Sequence, residues 1–421
     1  MSSSRPTSCL PVLTRHLLPA TFVLAILAGC GSSHDKNDTE PTPEPTPTPT
    51  PTPSSPYVDA RAGDVLKVQI KELHPTQPSV GYDQIYYHLG RKQPDLNRYQ
   101  PTEAGYLGDS DDDNYSRYIY RTERKRIDDY CADNGQGGVA SFTQTGTRLI
   151  DSTSYTCSLP APTPDAAADI LAQLKTVVVG PGGTLYLTDG HHTFTTLKEL
   201  ADGGDELPVW VRVAANYSGA ETQASFWQQM QEARYVWLED PDGKAITPEQ
   251  LPNRLGLDTL SDDKYRSLVY LTRGMGYDNS DMPEFAEFYW GSWLRENGPD
   301  LSAYKLNDLA RARIEVKNGV VSARSGDSTD SYVAAVRDAA LGMVALDDSA
   351  PVSGGRLAGD LGRMNPPAAA KDWNDFMEEE IWRTDTNNSG RYRTAGKAWY
   401  ALKYRECGGA ANTQPECWLK P

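Results

Sequence analysis

The chain has 421 residues, of which 41 are basic and 57 acidic, giving a formal net charge of −16 at pH 7. A chain this acidic repels nucleic-acid phosphates on average, so its overall charge gives no reason to expect DNA binding. Its length is sufficient for two domains.

The first 29 residues have the features of an export signal. They include Arg5 and Arg15 but no acidic residue, and an apolar run from Leu17 to Leu27 leads into small residues before Cys30. The run is shorter than the roughly 20 residues needed to span a bilayer, which favours a cleaved signal over an uncleaved anchor. The segment resembles a bacterial lipoprotein signal. That resemblance implies that Cys30 bears the lipid that holds the mature chain on a membrane.

A Pro/Thr-rich segment follows. Residues 41–56, PTPEPTPTPTPTPSSP, favour an extended polyproline II spacer that reaches on the order of 50 Å at about 3.1 Å per residue. We interpret residues 30–56 as a lipidated tether. No later hydrophobic segment is long enough to cross a membrane. The folded part is therefore expected in the cell envelope, facing the periplasm or the exterior.

A change in hydrophobic pattern divides the rest of the chain. Residues 57–215 contain short β-type runs, with an insertion at about 93–165, whereas residues 216–421 are dominated by helical patterns. The predicted fold class is α+β, a small mixed-sheet domain followed by a mostly α-helical domain.

Three segments after residue 216 carry local signals. The segment 285–297, FAEFYWGSWLREN, favours a packed helix over an aromatic surface that stacks on a ligand. Asn318-Gly319 between alternating apolar residues predicts a tight hairpin. Two further helices are indicated by apolar residues at helical spacing, namely Phe226, Met230, Ala233 and Trp237 in one and Val333, Val336, Ala340 and Val344 in the other.

Four cysteines remain after the signal and Cys30. An even number outside the cytoplasm suggests two disulfides rather than a zinc site, since no CxxC spacing accompanies them. Sequence proximity favours Cys131 with Cys157 and Cys407 with Cys417, although three pairings are formally possible.

The sequence LYLTDGHHTFTTL, residues 185–197, marks the candidate site. Residues 176–189 have the pattern of a β-hairpin with a Gly-Pro-Gly-Gly turn, and Gly190 permits a sharp change into a helix. His191 and His192 are predicted on the first turn of that helix. Free N–H groups and the positive end of the helix dipole favour a phosphate or carboxylate there.

These segments resemble the ParB/sulfiredoxin fold, in particular the branch known as putative ParB-like nucleases. The resemblance covers most of residues 65–290. It is carried by VQIKELHPTQPSVGYDQIYYHLGRK (68–92), which resembles the opening strand and Pro-Gln-Pro box; by VVVGPGGTLYLTDGHHTFTTLKEL (177–200), the hairpin and phosphate-binding turn; by LPVWVRV (207–213), the closing strand; and by LPNRLGLDTLSDDKYRSLVYLTR (251–273).

The resemblance implies a phosphate site at the turn. In relatives a Gly-X-X-Arg turn holds the phosphates of ATP or CTP, and in sulfiredoxins its second position is the catalytic cysteine. Gly190, His191, His192 and Thr193 occupy these positions here. Sulfinic acid reduction is therefore not expected. The Thr193 hydroxyl and the helix N–H groups are expected to replace the arginine as phosphate ligands.

Two functions are consistent with these residues. The first is an envelope-anchored phosphodiesterase or nuclease, in which Asp189, His191 and His192 bind a divalent metal or transfer protons to a phosphate ester. His74 and Asp83 are expected nearby through the Pro-Gln-Pro box, whose Gln77 is a further candidate ligand-binding residue.

The second function is a non-catalytic binding or interaction lipoprotein that keeps the anion pocket of the fold. In that case Arg266 forms an ion pair that stabilises the fold. The purely structural alternative for the turn is that Asp189 caps it while both histidines hydrogen-bond to backbone. A phosphate-containing small molecule or a nucleic acid is the expected partner in either function, besides the lipid membrane reached through Cys30.

Overall fold

A five-stranded mixed sheet supports the histidine turn. The structure, a computed structural model, describes residues 55–94, 119–143, 147–280, 282–283, 285–383 and 395–408. The strands of these residues are β1 (Val65–Gln69), β2 (Leu73–Pro75), β3 (Ser79–Val80), β4 (Val139–Phe142), β5 (Tyr155–Cys157), β6 (Lys175–Val179), β7 (Leu185–Leu187), β8 (Pro208–Asn216), β9 (Ser261–Asp262), β10 (Ile314–Lys317) and β11 (Val320–Ala323).

The main sheet has the strand order β1-β8-β6-β7-β2. The β1/β8 and β6/β7 pairs are antiparallel, whereas β8/β6 and β7/β2 are parallel. Its centre is a β-branched run, Val177 to Val179, whose three side chains are all buried. Such a run suits a central strand because branched side chains pack well on a pleated surface. The predicted hairpin of β6 and β7 is confirmed.

Helices surround this sheet and make up most of the later chain. The α-helices of the described residues are α1 (Tyr82–Lys92), α2 (Lys125–Asp133), α3 (Ala168–Leu171), α4 (His191–Glu199), α5 (Gln223–Glu232), α6 (Lys264–Leu271), α7 (Ala286–Asn297), α8 (Tyr332–Val344), α9 (Ala370–Phe376) and α10 (Lys397–Cys407). Short 3-10 turns lie at Ile70–Glu72, Pro181–Gly183, Pro248–Gln250, Leu301–Ala303 and Gly359–Leu361, and π-helical turns at Ile119–Arg124 and Met377–Trp382.

Side-chain caps fix the start of three of these α-helices, two of which begin after residue 260. The Asp263 carboxylate accepts hydrogen bonds from the N–H groups of Tyr265 and Arg266, and the Ser331 hydroxyl accepts one from Ala334 N–H. Each cap satisfies N–H groups that the helix itself leaves unpaired. The Asp263 cap matters for the site because it begins the helix that carries Arg266.

Two large clusters of buried apolar side chains stabilise the fold, one under the main sheet and one among the later helices. The helix α1, which follows β3, packs along α10 near the other end of the chain, where Tyr86 stacks on Tyr404 with ring centroids 5.4 Å apart. The mixed α/β class is confirmed. None of the described helices has the length and apolar character that a membrane span requires.

Most of the predicted local elements form, and one ends early. The hairpin at Asn318-Gly319 is present, with both residues at positive φ, and the helix α8 buries its predicted apolar stripe. Within the segment 285–297 a packed helix, α7, begins at Ala286, directly after Phe285 at φ +57°. The helix α5 stops at Glu232 because Arg234 adopts a φ of +59°, so the prediction that Trp237 continues its stripe was wrong.

One of the two predicted disulfides is present in the described residues. Cys131 in α2 and Cys157 in β5 form a disulfide with 5.6 Å between their Cα atoms. The predicted partner of Cys407, Cys417, lies outside the described residues, as do Cys30, the predicted signal and nearly all of the tether. The domain boundary at residues 215/216 stays a prediction.

Candidate functional site

A glycine bend connects β7 to α4. Gly190 adopts φ +97° and ψ 13°, a conformation that side chains with a Cβ rarely adopt. A Cβ at Gly190 would also lie 2.5 Å from Cγ of Lys175, whose side chain packs over the bend. The helix begins immediately afterwards at His191, as predicted, with no side-chain cap on its first turn.

The first turn of α4 keeps free donors. Within the described residues no group accepts a hydrogen bond from the backbone N–H of His191, His192 or Thr193, whereas Phe194 N–H already binds the Gly190 carbonyl. Such N–H groups and the helix dipole attract an anion. The N–H groups and the dipole do not form a binding site by themselves. Whether the turn binds an anion therefore also depends on the surrounding side chains.

Both histidines are tied to the loop that follows β2. The N–H of Thr76 donates to Nε2 of His191 at 3.1 Å, and the N–H of Gly81 donates to Nε2 of His192 at 2.9 Å. The Thr76 hydroxyl donates to the Leu187 carbonyl at 2.6 Å. The imidazoles therefore hold the loop 76–81 against the end of β7. This agrees with the structural alternative in which both histidines form hydrogen bonds with backbone groups.

These bonds fix the chemical state of the rings. Because each Nε2 accepts a hydrogen bond, it carries no proton, and the neutral ring has its proton on Nδ1. Burial, followed by the nearby Arg266, lowers the pKa of His191 to about 3 and that of His192 well below its usual value. Neither Nδ1 has a partner among the described residues, and neither is sealed from solvent. Both rings thus present a neutral donor at pH 7.

A cavity of about 960 Å³ surrounds the turn. The whole run from Asp189 to Thr193 lines it, together with Gln77 and with residues of α1, α2, β6, β8, α6 and α7. We call it the turn cavity. Its volume is at the upper end of the range for cavities that enclose a small organic ligand.

The turn cavity is basic although the chain is acidic. Four acidic residues line it, namely Asp129, Asp133, Asp189 and Glu287. Seven basic residues line it, namely Arg91, Lys92, Lys125, Lys175, Arg212, Arg266 and Arg273. A formal excess of positive charge in a concave, partly buried space attracts anions more strongly than the same charges on an open surface.

Four of the basic residues share two carboxylates, so this group keeps a formal excess of two positive charges. Glu287 pairs with Arg266 at 3.0 Å and also with Arg273, while Tyr277 donates its hydroxyl proton to Glu287 at 2.8 Å. Asp129 pairs with both Lys92 and Lys125. Burial alone would raise the pKa of Glu287, but the two arginines lower it below the usual range.

Arg266 has unused donors despite its ion pair. Its side chain is 5% exposed, Nη2 binds Glu287, and its guanidinium lies 4.2 Å from the ring centroid of Phe288. The remaining Nε and Nη1 atoms are buried without a hydrogen-bond partner. Leaving buried donors of a charged group without a hydrogen bond is unfavourable in free energy. The unpaired donors of Arg266 therefore favour an anionic ligand.

The sequence-predicted residues fall into two groups. Asp189, Gly190, Thr193 and Gln77 line the turn cavity beside the histidines, and the side-chain amide of Gln77 donates to the Ser79 carbonyl at 2.6 Å. Asp189 is exposed and forms no side-chain cap on α4.

His74 and Asp83 lie elsewhere. His74 packs near Tyr186 with ring centroids 5.8 Å apart, and burial lowers its pKa. Asp83 is buried and accepts a hydrogen bond from the Tyr332 hydroxyl at 2.7 Å, with Arg405 at 3.5 Å. Neither residue lines the turn cavity.

The sequence patterns did not identify several residues that line the turn cavity. Arg91, Arg212 and Arg273 are separated in sequence from the turn, and no spacing rule connects them to it. Asp133 was missed too; burial raises the pKa of its carboxyl, while Lys175 lowers it. The sequence contained one weak indication of a basic cavity, because Arg212 is a charged residue in an otherwise apolar closing strand.

No group of three or more His, Cys, Asp or Glu side chains that could hold a metal ion occurs in the described residues.

Gly81 is expected to tolerate no side chain. A Cβ there would lie 2.6 Å from the backbone nitrogen of Ser267 at the start of α6, a contact that only backbone movement can relieve. We expect Gly81→Ala to lower the free energy of unfolding by about 1–3 kcal/mol, because overpacking displaces the loop that binds His192. Urea unfolding checks this. Gly219→Ala, which meets nothing within 4 Å, is the control, and equal stability of the two variants would contradict the expectation.

Comparison with known proteins gives the family. A search of curated proteins found no match. Among solved structures, protein Atu1540 from Agrobacterium tumefaciens is similar, with 20% identity over 55% of this chain and 80% of that chain and a TM-score of 0.32. The family described as putative ParB-like nuclease matches residues 66–296, more than half of the chain. The chain is therefore a member of the putative ParB-like nuclease family.

Proposed function

We propose that this protein binds a phosphate-containing ligand in the turn cavity. The observation that carries the proposal is Arg266, whose Nε and Nη1 are buried without a partner in the same cavity as the open first turn of α4. The Nδ1–H groups of His191 and His192 supply two further donors. A phosphate group accepts several hydrogen bonds at once and carries the charge that such a set requires.

The histidines contribute as donors rather than as bases. A general base needs a nitrogen that is free to take up a proton, but each Nε2 already accepts a hydrogen bond from a backbone N–H. Their lowered pKa values keep them neutral at pH 7, so they bind an anion without changing protonation. This favours binding over the proton-transfer role first considered for His191 and His192.

Hydrolysis of a phosphodiester is the second candidate function, and the family description favours it. The carboxylates of Asp133 and Asp189 line the turn cavity without an ion pair in the described residues. A carboxylate whose pKa is raised by burial, as that of Asp133 is, is a suitable base for activating water near neutral pH.

Attachment to the cell envelope belongs to the same proposal. It rests on the sequence before residue 57, where the signal-like segment and Cys30 precede the Pro/Thr-rich tether. The ligand would then be one that is present outside the cytoplasm. Labelling of the full chain with a radioactive fatty acid, lost in Cys30→Ala, tests the attachment.

Thermal unfolding of the full chain tests phosphate binding. Sodium phosphate is expected to raise Tm relative to sodium chloride at equal ionic strength, with a stabilisation of about 2.7 kcal/mol at 100 times Kd. Arg266→Gln is expected to abolish the rise. Arg295→Gln is the matched control, because Arg295 is also ion-paired, with Asp263 at 2.9 Å, but lies outside the cavity. A rise that survives in Arg266→Gln, or none in the parent, would refute the proposal.

A hydrolysis assay of the parent and of Asp133→Asn distinguishes the two candidate functions. Release of p-nitrophenolate from bis-p-nitrophenyl phosphate, with and without a divalent metal, measures hydrolysis. Turnover that is lost in Asp133→Asn supports the phosphodiesterase. Phosphate binding without turnover supports the binding protein.

A further inference from the structure

We propose that the natural ligand is a phosphate ester of a hydroxyl-rich organic molecule, and that its hydroxyl groups bind Gln84, His88 and Arg91. We call these three residues the α1 face. The inference rests on the proposed phosphate site at the turn and specifies the chemical class of the rest of the ligand.

The residues of the α1 face share one side of a helix. They lie at positions i, i+4 and i+7 of α1, a spacing that places side chains on the same side of an α-helix. All three line the turn cavity. At a rise of about 1.5 Å per residue, the α1 face extends over roughly 10 Å of the cavity wall.

The α1 face lies beside the proposed phosphate site. Its helix begins after Gly81, whose N–H donates to Nε2 of His192 at 2.9 Å. One turn of α6 separates Arg266 from Tyr270, and the ring centroid of Tyr270 is 6.2 Å from that of His88. A ligand whose phosphate is bound by the turn and Arg266 therefore has the α1 face next to its organic part.

Each residue of the α1 face has polar atoms without a partner. The atoms Oε1 of Gln84, Nδ1 of His88 and Nε of Arg91 are buried and form no hydrogen bond. A second atom of each side chain, Nε2 of Gln84, Nε2 of His88 and Nη2 of Arg91, also lacks a partner within the described residues and is not sealed from solvent. The packing of the protein thus leaves this face unsatisfied, and the open atoms are available to a ligand.

The mixture of donors and acceptors on the α1 face favours hydroxyl groups. The amide of Gln84 donates and accepts, and so does a neutral imidazole. His88 is neutral at pH 7 because burial, followed by the charges of Lys92 and Arg91, lowers its pKa well below the usual value. Nη1 of Arg91 already donates to the Tyr87 hydroxyl at 2.8 Å. A hydroxyl group can bond to all three residues, whereas an ionised phosphate oxygen only accepts.

The turn cavity has room for a polyol in addition to a phosphate. One phosphate group at the turn occupies only a small part of about 960 Å³. Thr188 and Asn279, which also suit hydroxyl groups, line the same space. The remaining volume therefore accommodates the hydroxyl-rich part of the ligand.

Isothermal titration of the full chain at pH 7 with sorbitol 6-phosphate and n-hexyl phosphate tests the inference. The two esters have the same carbon chain and phosphate and differ only in the hydroxyl groups. Sorbitol 6-phosphate is expected to bind about tenfold more tightly, the factor that one or two additional hydrogen bonds provide. Gln84→Met and His88→Leu, which change no charge at pH 7, are each expected to reduce this preference to about threefold or less.

Two further variants serve as controls. His88→Gln keeps a donor and an acceptor and is expected to retain most of the preference. Gln229→Met replaces a glutamine of α5 outside the turn cavity and is expected to retain all of it. Circular dichroism shows which variants are folded. If His88→Leu is not, the preference of Gln84→Met decides.

The outcomes separate this inference from the proposed function. Equal or weaker binding of sorbitol 6-phosphate by the parent, or a preference that persists undiminished in Gln84→Met or in folded His88→Leu, would overturn the role of the α1 face and leave the phosphate site in place. Failure of both esters and of inorganic phosphate to bind would overturn the phosphate site as well.

Discussion

Glu287→Gln is expected to lower the free energy of unfolding by about 3 kcal/mol at pH 7, because it leaves two arginines without their carboxylate partner. Arg266 is almost fully buried and pairs with Glu287 at 3.0 Å, and Arg273 donates from Nε at 2.7 Å. Glutamine keeps the size of the side chain and an acceptor oxygen for the Tyr277 hydroxyl. The change therefore removes charge and little else.

Urea unfolding at pH 7 measures this effect, with Glu206→Gln as the control. Glu206 pairs with Lys71 on the surface, where both side chains are about half exposed, so its loss is expected to cost less than about 1 kcal/mol. The pKa of folded Glu287 is lowered, so its contribution is complete above the unfolded pKa of about 4.3 and is lost as pH falls through the folded value. A loss no larger than that of Glu206→Gln would show that the arginines do not depend on this carboxylate.

The same substitution bears on ligand binding. Glu287 neutralises part of the charge that an anion would meet, and its removal frees Nη2 of Arg266 in addition to the unpaired Nε and Nη1. A buried carboxylate between two arginines stabilises the cavity when it is empty, and it lowers the affinity of the cavity for an anion. The ion pairs with Glu287 hold both arginines in place in the protein without a ligand.

The turn itself could be predicted from the sequence because its determinants are contiguous. A β-branched run, a Gly-Pro turn, an alternating strand and Gly190 lie within residues 175–190, and each acts on its immediate neighbours. The resulting hairpin, bend and helix start appear as expected. Backbone geometry of this kind depends little on the rest of the chain.

The chemistry around the turn could not be predicted in the same way. The bond from Gly81 N–H to His192 joins positions 111 residues apart, and Arg266 comes from a helix further along the chain. Only tertiary packing brings them together, and one sequence contains no signal for it. The resemblance to a known family suggested a phosphate site but placed His74 and Asp83 near it, whereas both lie outside the turn cavity.

The net charge of the whole chain does not predict the charge of the turn cavity. A total of −16 argues against a polyanionic partner for the surface as a whole. Seven basic residues nevertheless line one cavity. The two findings are compatible if the ligand is small enough to be enclosed, because an enclosed anion responds to the cavity walls rather than to the distant acidic surface. This favours a small phosphate-containing molecule over a long nucleic acid.

The free energy of unfolding is expected to fall steeply as pH is lowered from about 6.5 towards 4, because His191 and His192 are neutral in the folded protein. The pKa of His191 is lowered to about 3, chiefly by burial, and that of His192 is also well below its usual value. Between the folded pKa and the unfolded pKa of about 6.5, the unfolded chain binds protons that the folded chain does not. The stabilisation is complete above pH 6.5 and is lost as pH falls towards the folded value.

The slope is expected to reach about 1.4 kcal/mol per pH unit for each histidine. Buried carboxyls with raised pKa values, such as Asp83, act in the opposite direction, so variants are needed to isolate the imidazoles. His191→Gln and His192→Gln retain an acceptor for the Thr76 and Gly81 N–H groups but do not titrate, and each should flatten the curve measured by urea unfolding from pH 7 to 4. His74→Gln, at a partly exposed position, should change it less. An unaltered slope in the double His191→Gln/His192→Gln variant would mean that these rings take up protons in the folded protein, and that the backbone N–H bonds do not fix their neutral state.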